Sequence, residues 1–80
     1  NMKKEINFRI IELPTHQVLL SKDFDNEDEG KPLFVITVFI KGMKADHKFG
    51  YSSEETRDEY FNSFSDEQAQ TILDKLISLN

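Results

Sequence analysis

The stretch Pro32 to Tyr51, PLFVITVFIKGMKADHKFGY, decides the fold. Its first half, Pro32 to Lys41, is apolar on both alternating faces and rich in β-branched and aromatic residues, the composition of a strand held inside a sheet. Lys41-Gly42 supplies a turn signal, and Met43 to Tyr51 continues as a second strand. With Lys41 and Gly42 as the two loop residues, Ile40 faces Met43, Val38 faces Ala45, Ile36 faces His47 and Phe34 faces Phe49. On the other face Phe39, Thr37 and Val35 oppose Lys44, Asp46 and Lys48. Both strands agree on which side is core and which is mixed, so an antiparallel hairpin over 32–41 and 43–51 is expected.

Toward the N-terminus, Glu5 to Leu13 (EINFRIIEL) places Ile6, Phe8 and Ile10 at the period of two that a strand requires, and Pro14 ends it. His16 to Phe24 (HQVLLSKDF) is a further apolar-centred run, giving strands over 5–13 and 16–24. Proline fixes φ near −65°, so Pro14-Thr15 cannot form a type I′ turn and the register of this first pair stays open. Asn1, ahead of Met2, reads as an expression scar.

After Tyr51 the period changes. Ser52 with Glu55 three residues on forms a capping-box pattern that opens a helix over 53–64, with Tyr60, Phe61 and Phe64 on one stripe and Arg57 among the charges outside. Ser65 with Gln68 repeats the pattern, and Ala69, Ile72, Leu73, Leu76 and Ile77 recur at helical spacing over 66–79. Asp66 and Glu67 in the first turn of this helix, and Lys75 in its last, have the signs that the helix dipole favours. The expected fold is therefore α+β, a single domain over 2–80. Four antiparallel strands in two hairpins precede two helices that pack on the face carrying Phe34, Ile36, Val38, Ile40, Met43, Ala45 and Phe49.

Eighty residues make one small domain that buries roughly 60–65% of the surface its unfolded chain exposes. With 38% hydrophobic and 31% charged residues the core is small, while seven Phe and the β-branched runs argue against disorder. The chain has no Cys, which removes disulfides and thiolate zinc as supplementary supports and leaves oligomerisation. The longest apolar run, Leu33 to Ile40, is far shorter than the ~20 residues of a membrane-spanning helix, and no signal peptide opens the chain. A cytoplasmic location without membrane association is the expectation.

The net charge of −5 is unevenly placed. Residues 1–22 hold four bases and two acids, 23–30 five acids, 31–50 four bases and one acid, and 53–80 two bases and seven acids. Acidic helices thus accompany a locally basic sheet.

The acidic stretch DFDNEDEG, Asp23 to Gly30, has the look of a calcium loop. Such a loop needs a bidentate glutamate at its twelfth position and helices on both sides. Starting at Asp25 the twelfth residue is Ile36, starting at Asp23 it is Phe34, and both flanks read as strands. Asp23, Asp25 and Glu27 are therefore only a weak metal candidate, and the stretch reads as a solvated connector whose charge discourages unwanted strand pairing. His16 and His47 are the only histidines, and His47, on the expected core face, reads as a hydrogen-bonded structural residue. No serine sits in a Gly-x-Ser-x-Gly elbow, and Gly30, Gly42 and Gly50 form no phosphate loop. No catalytic constellation, cofactor site or firm metal site is expected.

What survives is the second sheet face, where Leu33, Val35 and Phe39 lie among Thr37, Lys41, Lys44 and Lys48. An apolar strip rimmed by lysines suits a protein interface, most simply a homodimer, built on Leu33, Val35 and Phe39. The alternative is single-stranded nucleic acid, with Phe39 stacking on bases and Lys41, Lys44 and Lys48 drawing phosphates. In its strand-then-helix order alone the chain resembles the single-stranded DNA-binding sheets of the PUR and Whirly families, which implies the same class of ligand on that face.

Overall fold

The apolar runs become four strands, β1 (Phe8–Glu12), β2 (Gln17–Asp25), β3 (Leu33–Ile40) and β4 (His47–Tyr51), in a computed structural model that describes residues 6–25, 33–44 and 46–79. Sheet order follows chain order and every neighbouring pair is antiparallel. Helices α1 (Glu54–Ser63) and α2 (Asp66–Ser78) follow and lie on one face of the sheet. This is the expected α+β architecture. The molecule is a slab of 37 × 35 × 17 Å, and among the described residues no element covers the other sheet face.

Register assigns the faces. Ile11 pairs with Val18, Val18 with Ile40, Leu20 with Val38, and Ile36 with Phe49, so these residues share the helix side of the sheet. Phe61, Phe64, Ala69 and Leu73 descend onto them from the helices, and Phe61, Leu20 and Ile36 are among the largest fully buried side chains. The row Ile6, Phe8 and Ile10 lies on the open side, while Arg9 and Ile11 turn toward the helices.

The β3–β4 register differs from the tight-hairpin expectation. Val38 pairs with His47, Ile36 with Phe49 and Phe34 with Tyr51, a slip of two residues, and β4 begins at His47 instead of residue 43. A two-residue type I′ hairpin needs positive φ at both central residues. Gly42 has φ +95°, but no described non-glycine residue has positive φ. The Met43 amide donates to the Ile40 carbonyl at 3.0 Å, which makes 40–43 a type II turn with Gly42 at its third position. The Lys41 amide meanwhile donates to Gln17 O on β2 at 2.9 Å, so it takes no part in pairing β4. The chain therefore runs on before pairing. Because the slip is even, the core face is preserved.

Two expectations about α1 are corrected. Its N-cap is Ser53, not Ser52: the Ser53 hydroxyl accepts from the Thr56 amide, and Glu55 closes no box. Arg57 is buried and not outside. It donates to the Asp23 carbonyl at 2.9 Å, pairs with Asp58 at 2.9 Å and Glu54 at 3.5 Å, and lies 5.5 Å from the Phe34 ring centre. The inward stripe of α1 is thus Arg57, Phe61 and Phe64, while Tyr60 is 51% exposed. In α2 the Ser65–Gln68 capping box forms as expected.

Candidate binding surfaces

Two surfaces stand out, the open sheet face and a cleft beside β4. On the open face Ile10 pairs with Leu19 and Leu19 with Phe39, a continuous row across three strands that is 61%, 37% and 39% exposed. Phe8 stands beside it, and Ile10, Leu19, Phe39, Gln17 and Lys41 line a shallow depression of about 410 Å³. Of the interface residues chosen from sequence, Phe39 belongs to this row. Leu33 is half-exposed at the far end of β3, its side chain lying over Gly50. Val35 is on the same face but buried, so it supports the surface without offering area. Ile10, Leu19 and Phe8 were not assigned to this surface from the sequence, because β1 reads apolar on both faces at Ile10-Ile11 and only pairing with β2 selects one.

Between the apolar row and Leu33 lies a polar band. The Asp23 carboxylate accepts from Ser21 at 2.9 Å and Thr37 at 2.6 Å, tying β2 to β3 from the solvent side. Asp23 thus bridges its own sheet, Asp25 pairs with Leu33, and Glu27 lies outside the described residues. No group of three or more His, Asp or Glu among the described residues is placed to hold a metal ion.

The strand bases divide between the faces. Arg9 donates to the carbonyls of Phe61 and Phe64 at 2.7 and 2.9 Å, supplying positive charge at the C-terminal end of α1, whose last turn has no base. Lys22 lies 3.5 Å from Asp58 and 5.1 Å from the Phe61 ring centre. Both are spent on the helix side. Lys48 pairs with Thr37 on the open face and Lys41 borders Phe39, whereas Lys44 is in the loop before β4. Glu12 and Asp23 share that face, so the described residues form no continuous basic track across it.

The second surface lies where β4 meets the helices. Phe49 and Tyr51 from β4, Tyr60 from α1, Phe64 from its C-cap, and Gln68, Thr71 and Ile72 from α2 line a cleft of about 320 Å³. Tyr51 and Tyr60 stack with ring centres 5.2 Å apart. Burial, and secondarily the neighbouring Tyr60, push the Tyr51 phenol above its ordinary pKa. Gln68 is oriented by the capping box, where its side-chain oxygen accepts from the Ser65 amide at 2.9 Å, and this leaves its NH₂ group as a fixed donor. His47 is half-buried on the helix side with its ring stacked toward Phe49, and His16 Nδ1 lies 2.8 Å from the Thr15 hydroxyl.

Comparison with protein-family models, with curated proteins and with solved structures gives no match to this chain. No helix among the described residues is long and apolar enough to cross a membrane.

Proposed function

We propose that the chain acts by binding, not by catalysis, and that its open sheet face joins a second copy of itself. The observation that carries this reading is the exposed row Ile10, Leu19 and Phe39 on a sheet that, among the described residues, has helices on one side only. A two-fold axis running along the strands between β2 and β3 suits this face. It sets each Leu19 on the partner's Phe39 and each Ser21 on the partner's Thr37, because these are register partners across that line. Two sheets packed this way stand about 10 Å apart with nearly aligned strands.

The area is modest. At ~4.8 Å between strands and ~3.3 Å per residue, the described strands offer about 400 Å² per copy, below the standard size of a stable interface. Association should therefore be weak and concentration-dependent. Sedimentation equilibrium from about 10 μM to about 1 mM should show the mass rising from 9.4 kDa toward twice that value, with Phe39→Ser and Leu19→Ser remaining monomeric. A wild-type mass of one chain at the highest concentration would overturn the proposal. The nucleic-acid reading is disfavoured by the carboxylates of Glu12 and Asp23 among Lys41 and Lys48 on the same face.

A further inference from the structure

We infer that the aromatic cleft between β4 and the two helices is a binding site for a small alkylammonium cation. Its size is at the lower end for ligand sites, and its lining is of the usual kind, mostly aromatic and apolar with a few fixed polar groups. Four of the seven lining residues are aromatic, and a ring face attracts a cation through its quadrupole. Tyr60 is the most open of them, half-exposed at the mouth, with Phe49 at 38%.

The lining selects the sign of the occupant. Neither a base nor an acid is among the described residues that line the cleft. Glu59 lines an adjoining depression with Tyr60, and Glu67 lies one helical turn before Thr71, whose hydroxyl donates to the Glu67 carbonyl. Against them stands Lys75, one turn beyond Thr71. The other base of the helical segment, Arg57, is buried against Asp58 and Glu54. Arg9 also reaches the Phe64 carbonyl at 2.9 Å, so the neighbouring charges balance, and it is the ring quadrupoles of the uncharged aromatic lining that favour a cation over an anion. The Gln68 NH₂ group and the tyrosine hydroxyls suit the oxygen of an amino-alcohol such as choline, which serves as the probe.

The site has a built-in reporter, since the chain has two Tyr and no Trp and both tyrosines line the cleft. Choline is titrated into the protein at constant ionic strength while tyrosine emission is followed, alongside its neutral isostere 3,3-dimethylbutan-1-ol. The expected result is a saturable change with choline and about ten-fold weaker binding of the isostere. Tyr60→Leu, which leaves Tyr51 as reporter and removes a half-exposed ring, should weaken choline several-fold in a protein that still unfolds cooperatively, its midpoint lowered by no more than the lost Tyr51 stacking. Equal binding of the isostere would overturn the cation reading, and absence of any saturable response up to about 50 mM choline would overturn the site.

Discussion

At Arg57 a single guanidinium joins three parts of the molecule. It reaches the Asp23 carbonyl on β2, the Phe34 ring on β3 and two carboxylates of its own helix. Removing it takes the guanidinium donor from the Asp23 carbonyl and leaves Asp58 with Lys22 alone, so Arg57→Ala should lower stability by about 1–3 kcal/mol in urea denaturation. Arg57→Lys keeps the charge but not the planar fork and should lose about half as much; a loss below about 0.5 kcal/mol for the alanine variant would remove Arg57 from this role. The sequence did not disclose this, because a charge in a helix is assigned to solvent by default, although Arg57, Phe61 and Phe64 do recur at four and three residues. Tyr51 gives a second prediction at the same scale. Its folded pKa is raised above an ordinary value of 10.0 by burial first and Tyr60 second. Folding therefore favours the protonated phenol, and the associated stability is fully present below pH 10 and lost as pH rises through the folded pKa. Ultraviolet titration should show the Tyr51 phenolate appearing late, and still late in Tyr60→Phe, since the larger cause is burial.

The elements differ in how openly they are written. The cap of α2 is legible because Ser65 and Gln68 complete a reciprocal pair over three residues, a purely local relation. Ser52-Ser53 offers two adjacent caps for α1, and the choice depends on how the chain leaves β4. Ser53→Ala should cost about 1 kcal/mol of stability and Ser52→Ala a few tenths at most, a contrast that thermal unfolding of the two variants resolves. The turn after β3 is equally position-specific. Gly42 has open space where a Cβ would stand, so the cost of Gly42→Ala is that of its +95° φ alone, about 1–2 kcal/mol. The hairpin faces were readable from alternation, but the register was not. It depends on Lys41 donating to Gln17, a partner more than twenty residues away that no local pattern names. The apolar row of the open face was hidden for a related reason, since Ile10 and Ile11 are chemically alike and only the Ile11–Val18 pairing turns one of them inward.

On the scale of the whole molecule, the two layers separate the two proposed binding surfaces. The open sheet face presents Ile10, Leu19 and Phe39, and the cleft presents Tyr60 and Phe49 on the helix side. The fold class was legible from strand and helix periods, whereas the cleft was not. Phe49 and Tyr60 read as core residues, yet the small core closes over Phe61 and Phe64 and leaves those two rings half-exposed at its margin. If the surfaces are independent, changes at one should leave the other untouched, because no described residue lines both. The double variant Ile10→Thr, Phe39→Thr is the decisive case. Threonine keeps strand propensity, and both positions are at least 39% exposed, so the unfolding midpoint should shift little. Sedimentation should then give a mass near 9.4 kDa at every concentration, while the choline response of the tyrosines stays within about two-fold of wild type. A choline response that disappears together with dimerisation would mean that the cleft is completed by the partner copy, and the two faces would then have to be treated as one site.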